Sequence, residues 1–128
     1  MNKLSDRQLW ERSIREDDVL GQIRSMLEVN GARVFRVVER IPWGKTTSEG
    51  GIPDLFGWFY KPTMEHPGLV FPLHFFIEVK KPGGKLRPKQ AAFLNVANFD
   101  GVIAFKADSW AECLNELHRR GIKLIIER

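Results

Sequence analysis

Leu73-His74-Phe75-Phe76-Ile77-Glu78-Val79-Lys80, followed at once by Lys81-Pro82-Gly83-Gly84, is the stretch on which the reading of this chain turns. Eight residues rich in aromatic and branched side chains, bounded by a Pro-Gly-Gly turn, read as a strand. Successive strand side chains point to opposite faces, so Leu73, Phe75, Ile77 and Val79 make one wholly apolar face. His74, Phe76, Glu78 and Lys80 make the other. One side suits a core; the opposite side sets an acid next to a lysine. An isolated Glu-x-Lys is most often a solvated ion pair, so its meaning depends on what the rest of the chain brings beside it.

Working outward, Asp54 to Tyr60 reads as a preceding strand, separated from the first by a turn-rich link with Pro62, Pro67 and Gly68. Arg33 to Glu39 reads as a strand before that, and Ile41 to Gly51, with Pro42, Gly44, Gly50 and Gly51, as a long loop. Apolar residues Leu9, Trp10, Ile14, Val19, Leu20, Ile23, Met26 and Leu27 recur at threes and fours, which predicts helix over 6–30, broken near Ser13 and ended by Asn30-Gly31. Pro88 suits the first turn of a helix running to about Asn98, since its missing N–H would be unpaired there anyway. A short strand, Val102 to Phe105, follows. Asp108 is expected to cap a helix through Arg120, and Ile122 to Ile126 to form a last strand. Helix, three strands, helix, strand, helix, strand implies an α/β fold, a mixed sheet flanked by helices.

The bulk properties agree with one such unit. At 128 residues the chain fits one domain. Its 43% hydrophobic and 28% charged residues are those of an ordinary globule. No apolar run approaches the roughly 20 residues needed to cross a bilayer, and Met1 to Trp10 carries charges where a secretory signal needs an apolar stretch. The expectation is a cytoplasmic protein without a membrane partner. One cysteine, Cys113, forms no internal disulfide and builds no zinc site alone. Twenty Lys plus Arg against sixteen Asp plus Glu gives +4, a balance compatible with a polyanionic partner.

Asp54 changes the weight of the Glu-x-Lys pair. It opens its strand within Gly51-Ile52-Pro53-Asp54, where Pro53 fixes the backbone just ahead of the acid. If the two strands are neighbours, Asp54 and Glu78 repel, and one pKa rises unless a cation sits between them. A divalent ion such as Mg²⁺ suits hard oxygen ligands and activates water next to a phosphate. Lys80 would then orient that water or offset phosphate charge. Two readings fit Glu16, three before Val19 and seven before Ile23: a third acid on the sheet-facing stripe, or a first-turn acid complementing the helix dipole with Asp17 and Asp18. Gln90 shares a face with Phe93, Leu94 and Ala97, either capping backbone or reaching the site.

Gly51-Ile52-Pro53-Asp54, then Phe76-Ile77-Glu78-Val79-Lys80-Lys81-Pro82-Gly83-Gly84-Lys85, then Pro88-Lys89-Gln90-Ala91-Ala92-Phe93-Leu94 resemble the PD-(D/E)XK nuclease superfamily. More narrowly they are similar to the small stand-alone form of the virus-type replication and repair nucleases, the VRR-NUC family. The resemblance spans roughly residues 16–110, and it implies a restriction-endonuclease-like αβββαβ core preceded here by a 1–15 extension. It further implies a Mg²⁺-dependent DNA endonuclease, with Mn²⁺ able to substitute. Carried over by motif, Asp54, Glu78, Glu16 and the carbonyl of Val79 hold the metal, while Lys80 and Gln90 complete the catalytic set. Small relatives of this kind are homodimers that cut branched DNA, including four-way (Holliday) junctions. The same resemblance suggests a bacterial or phage protein of DNA repair.

Lys45, Lys81, Lys85, Arg87 and Lys89 gather around the motifs and are the expected DNA contacts, made to phosphates and therefore with little sequence preference. Trp43 either stacks on an unpaired base or packs on the core. His66, His74 and His118 lack ligand spacing, and His74 alone shares the Glu78 face. A non-catalytic module gripping branched DNA is the alternative function; intact acids and lysine weigh against it, and a need for Mg²⁺ separates the two. A sequence-specific restriction-type enzyme would need recognition elements for which 128 residues leave little space.

Overall fold

A computed structural model of the chain describes residues 5–6, 15–37, 51–59 and 72–124. In order these form α1 (Glu16–Val29), β1 (Ala32–Arg36), β2 (Leu55–Phe59), β3 (Leu73–Val79), α2 (Pro88–Phe99), β4 (Ile103–Ala107) and α3 (Trp110–Arg119). The sheet runs β1-β2-β3-β4; the first two pairings are antiparallel and β3 with β4 is parallel. The expected mixed sheet with flanking helices is thus the observed one. The parallel step arises because the chain leaves β3, crosses through α2 and returns in the same direction.

Alternation sorts the sheet into two faces. Leu55, Gly57 and Phe59 on β2 and Phe75, Ile77 and Val79 on β3 are buried on one side, as are Ala32 and Val34 on β1. Against them pack Val19, Leu20, Ile23 and Leu27 of α1 with Trp110, Cys113 and Leu117 of α3. Burial raises the Cys113 thiol to about 12, so it acts as a small apolar side chain. On the other side α2 lies over β3 and β4, its Phe93 meeting Phe76 edge-on at 5.1 Å. Here Leu94 is buried, and Asn98 donates from Nδ2 to the Ala104 carbonyl of β4 at 2.7 Å.

Several boundaries differ from the sequence reading. β1 starts at Ala32, one residue before the expected Arg33, and β2 lies within its expected span; the expected ends at Glu39 and Tyr60 lie outside the described residues. β4 runs two residues past Phe105, to Ala107, because β3 offers pairing partners as far as Val79. Ser109, not Asp108, caps α3: its Oγ accepts the Glu112 N–H at 3.0 Å, the three-residue reach of a cap. Asp108 faces Lys106 at 4.0 Å instead. Ile122 to Leu124 form no strand. The Ile122 N–H is taken by the Leu117 carbonyl at 2.9 Å, closing the end of α3, while Ile122 and Leu124 sink into the core. Residues 125–128 and most of 6–15, where the helix was expected to begin, lie outside the described residues.

Gly57 sits where β1, β2 and β3 are tightest. A Cβ there would stand 1.9 Å from the Arg33 carbonyl oxygen and 2.9 Å from the Phe75 ring. The neighbour is backbone of a paired strand and cannot yield without breaking the ladder. Gly57→Ala should therefore cost on the order of 3 kcal/mol of stability, read as a lowered urea midpoint; an unchanged midpoint would contradict the β1–β2 register.

Candidate active site

The register of β2 with β3 pairs Leu55 with Ile77, so Asp54, one residue earlier, arrives opposite Glu78 on the face away from the α1/α3 core. Its carboxylate is fixed there: Asp54 Oδ2 accepts the backbone N–H of Val79 at 2.9 Å. Pro53, fully buried, anchors the approach. The first turn of α1 brings Glu16 to the same place. Oxygens of Glu16, Asp54 and Glu78 lie within 4.8 Å of one another. Glu16 is exposed, so it closes the rim of the cluster rather than lying buried on the sheet-facing stripe; the helix end, not its apolar flank, delivers it.

Glu78 is the anomalous group. Only 2% exposed, it accepts from Gln90 Nε2 at 3.1 Å and faces Lys80 Nζ at 3.7 Å, both through Oε1. Among the described residues no N–H or O–H donates to its buried Oε2. Burial, and after it the charge of Asp54, drives the Glu78 carboxyl up to about 8, with Lys80 pulling the other way and Glu16 adding a little to the rise. Two adjacent carboxyls in this state are held together by a shared proton or by a cation. A buried acceptor without a donor, ringed by hard oxygen atoms, is the donor set that a divalent ion such as Mg²⁺ fits. The solvated ion pair considered for Glu-x-Lys is excluded by burial: Lys80 is itself only 9% exposed.

Gln90 does both things open to it. Its Oε1 accepts the Arg87 N–H at 2.8 Å at the start of α2, and its Nε2 donates to Glu78. The capping contact fixes which end of the amide faces the acid. Gly84 holds Lys80 in a comparable way. The turn is closed by the Gly84 N–H on the Lys81 carbonyl at 2.8 Å, and a Cβ on Gly84 would meet Lys80 Cβ at 3.0 Å. The turn thus packs directly on the lysine stem, a role the Pro-Gly-Gly signal marked only as a stop.

Of the remaining expected residues, Val79 lies beside the cluster with its N–H bound to Asp54. Lys81, Lys85, Arg87 and Lys89 are exposed on the segment after β3 and the first turn of α2. Lys45, Trp43, Trp10 and His66 lie outside the described residues. His74 shares the Glu78 face but packs near Trp58 at 5.9 Å, two strand steps from the acids, and so is no part of the cluster. His118 is at the end of α3. What the sequence reading did not find is a row of aromatic rings continuing from the acids across that face. Its only signal was the aromatic content at alternate positions of β1 and β2.

Because the folded carboxyl of Glu78 titrates at about 8 against 4.5 ordinarily, the metal-free fold binds a proton more tightly than the unfolded chain. Stability is full below about 4.5 and falls as pH rises through about 8. Glu78→Gln removes that loss, and should raise the melting temperature at pH 9 in EDTA by roughly 5 °C, the size of about 1 kcal/mol in a domain of this length. In wild type, added Mg²⁺ or Mn²⁺ should restore stability more strongly at pH 9 than at pH 6, and in Glu78→Gln it should not. Calorimetric melts with and without the ion check both. A wild-type profile that is flat from pH 5 to pH 9 contradicts the assignment.

The acids, the lysine, the glutamine and the turn stand in the order that the resemblance implied. No helix among the described residues is long and apolar enough to cross a membrane. No curated protein and no solved structure matches the chain. The model of the VRR-NUC domain family matches residues 3–110, a span that contains Glu16, Asp54, Glu78, Lys80 and Gln90 together with β4 and the cap of α3. The chain belongs to the VRR-NUC domain family, a family of nucleases.

Proposed function

We propose that the protein is a divalent-metal-dependent DNA endonuclease, acting on branched DNA such as four-way junctions, with all 128 residues forming one nuclease domain and 1–15 an extension of it. The observation that carries this is the convergence of Glu16, Asp54 and Glu78 oxygens within 4.8 Å beside the Lys80 ammonium. Asp54 and Glu78 would hold Mg²⁺, with Glu16 at the rim and the Val79 carbonyl completing the set. The ion, when bound, lowers the pKa of a coordinated water and neutralises charge on the phosphate.

The chain's own groups do the remainder. Lys80 sets a nearly desolvated ammonium where it orients the attacking water and offsets the charge that grows on the phosphate oxygens. Burial strengthens that effect, since fewer waters screen it. Gln90 keeps Glu78 in one rotamer, and Asp54 is held by the Val79 N–H, so neither acid must reorganise during the reaction. Lys81, Lys85, Arg87 and Lys89 flank the cluster and would contact phosphates on either side of the scissile one. A homodimer, which would set two such clusters on one junction inside a bacterial cell, belongs to the same proposal and rests on the family resemblance.

Cleavage of labelled four-way, flap, splayed and linear duplexes with Mg²⁺ or Mn²⁺ tests the reading. Wild type should cut the branched substrates, with paired symmetric nicks on four-way junctions, and EDTA should stop it. Lys80→Ala should slow cleavage roughly 100- to 1,000-fold, as expected for loss of one preorganised electrostatic group, while DNA affinity stays within about twofold. Glu78→Gln should abolish cutting. Wild-type cutting rates in either variant refute the role assignments; trimming of linear ends alone makes the enzyme an exonuclease.

A further inference from the structure

The face of the sheet that carries Asp54 and Glu78 continues as a band of aromatic rings. Register places Phe35 of β1 opposite Phe56 of β2, and Phe56 opposite Phe76 of β3; Trp58 follows Phe56 one strand step further on. Phe35 stacks on Phe56 with centroids 5.3 Å apart and lies 5.4 Å from Trp58. α2 covers Phe76 through Phe93, but among the described residues no helix packs over this face of β1 or β2. Phe35 is 42% exposed. A sheet with one face on the core ordinarily turns polar residues outward, so rings at the outward positions of β1 and β2 need a partner.

The neighbouring cluster says which partner. Among the described residues, Asp54 ahead of β2, the strands, and Lys80 after β3 put two acids on this face, Asp54 and Glu78, both in the cluster; Lys80 faces Glu78, and Lys106 is paired with Asp108 and Glu112. Rings next to the acid cluster of a nuclease-family domain fit a polyanion with flat apolar groups. A strand step of two residues is roughly 7 Å, so Phe56 lies about that far from Asp54 and Trp58 about twice as far. Bases in a duplex rise about 3.4 Å per step and are stacked on both sides, leaving no open ring face for protein. An unpaired strand has open base faces, and Phe35, the exposed end of the stacked row, is where one can be taken up.

We propose that the Phe35–Phe56–Trp58 band binds an unpaired DNA strand by base stacking, placing a neighbouring phosphate at the Asp54–Glu78 cluster. This rests on the nuclease reading for its choice of DNA and supplies the feature that would make a branch point, with its unpaired bases, the preferred substrate. Phe35 is the contact to test, since it is exposed on an edge strand and its replacement leaves the core untouched.

The test is fluorescence anisotropy of the full chain with labelled single-stranded, splayed and blunt duplex DNA, in Ca²⁺ to prevent turnover. Phe35→Ala should weaken binding of single-stranded and splayed DNA roughly tenfold, the scale of one base–aromatic stack, with blunt duplex affinity unchanged. Phe35→Leu, which keeps apolar area without a flat ring, should behave like Phe35→Ala, and Phe35→Trp should restore wild-type affinity. Equal affinities across the series, equal losses on all three DNAs, or a wild type that binds none of them overturn the proposal. So does sedimentation in which Phe35→Ala dissociates a dimer while DNA affinity is kept, which would make the band an interface between copies. Failure of wild type to cut with Mg²⁺, with the ring-dependent binding intact, removes the hydrolytic reading and leaves this one standing.

Discussion

A carboxyl group that is removed from water beside a second carboxyl is the constraint around which this molecule is arranged. Glu78 lies on a central strand, with Asp54 delivered opposite it by the β2–β3 register and Lys80 two residues on. Such a grouping opposes folding, because burial and like charge both disfavour the ionised pair. The surrounding structure offsets that cost locally. Gln90 donates to one oxygen of Glu78, the Lys80 ammonium faces the same oxygen at 3.7 Å, and a backbone N–H holds Asp54, while among the described residues nothing donates to the other Glu78 oxygen. A buried carboxylate oxygen without a donor, close to two further acids, suits completion by something positively charged.

The fold supplies stiffness at the points where the cluster needs it. β3 is paired on both sides, antiparallel to β2 and parallel to β4, so the backbone that carries Glu78 is held by hydrogen bonds along both edges. The α1/α3 layer fills one face completely and releases the other for chemistry. On that second face α2 does two jobs: Phe93 and Leu94 pack it onto the sheet, and Gln90, one turn earlier, reaches the acid. The Lys81–Gly84 turn is likewise more than a connection, since its tight packing holds the lysine stem.

Much of this was legible in the residues. Alternation in 73–80 separated the core face from the Glu-Lys face, and the structure buries the same residues. The order of strands and helices followed from periodicity through α3. It failed at Ile122–Leu124, the described part of the expected last strand, because a run of branched residues reads as strand whether or not a partner is near, and here the Ile122 N–H is already engaged by Leu117. It misplaced the α3 cap by one residue, since Asp and Ser are both good caps and only the extended backbone at Ser109 decides between them. For Gln90 two roles that looked exclusive are served by the two ends of one amide.

Glu16 marks the boundary between the two kinds of knowledge. Its position ahead of Val19 and Ile23 placed an acid near the sheet, yet it joins Asp54 and Glu78 from an exposed first turn, through the direction in which α1 crosses the strands. Local pattern determined which faces were apolar, where the turns fell and which residue types could bind an ion, because these depend on neighbours within a few positions. Distances between residues 16, 54 and 78, the shielding that lifts Glu78 to about 8, and the joining of separate aromatic positions into one band were decided only by tertiary structure. Each of these depends on strand register and helix placement, which bring together segments that the chain itself keeps far apart.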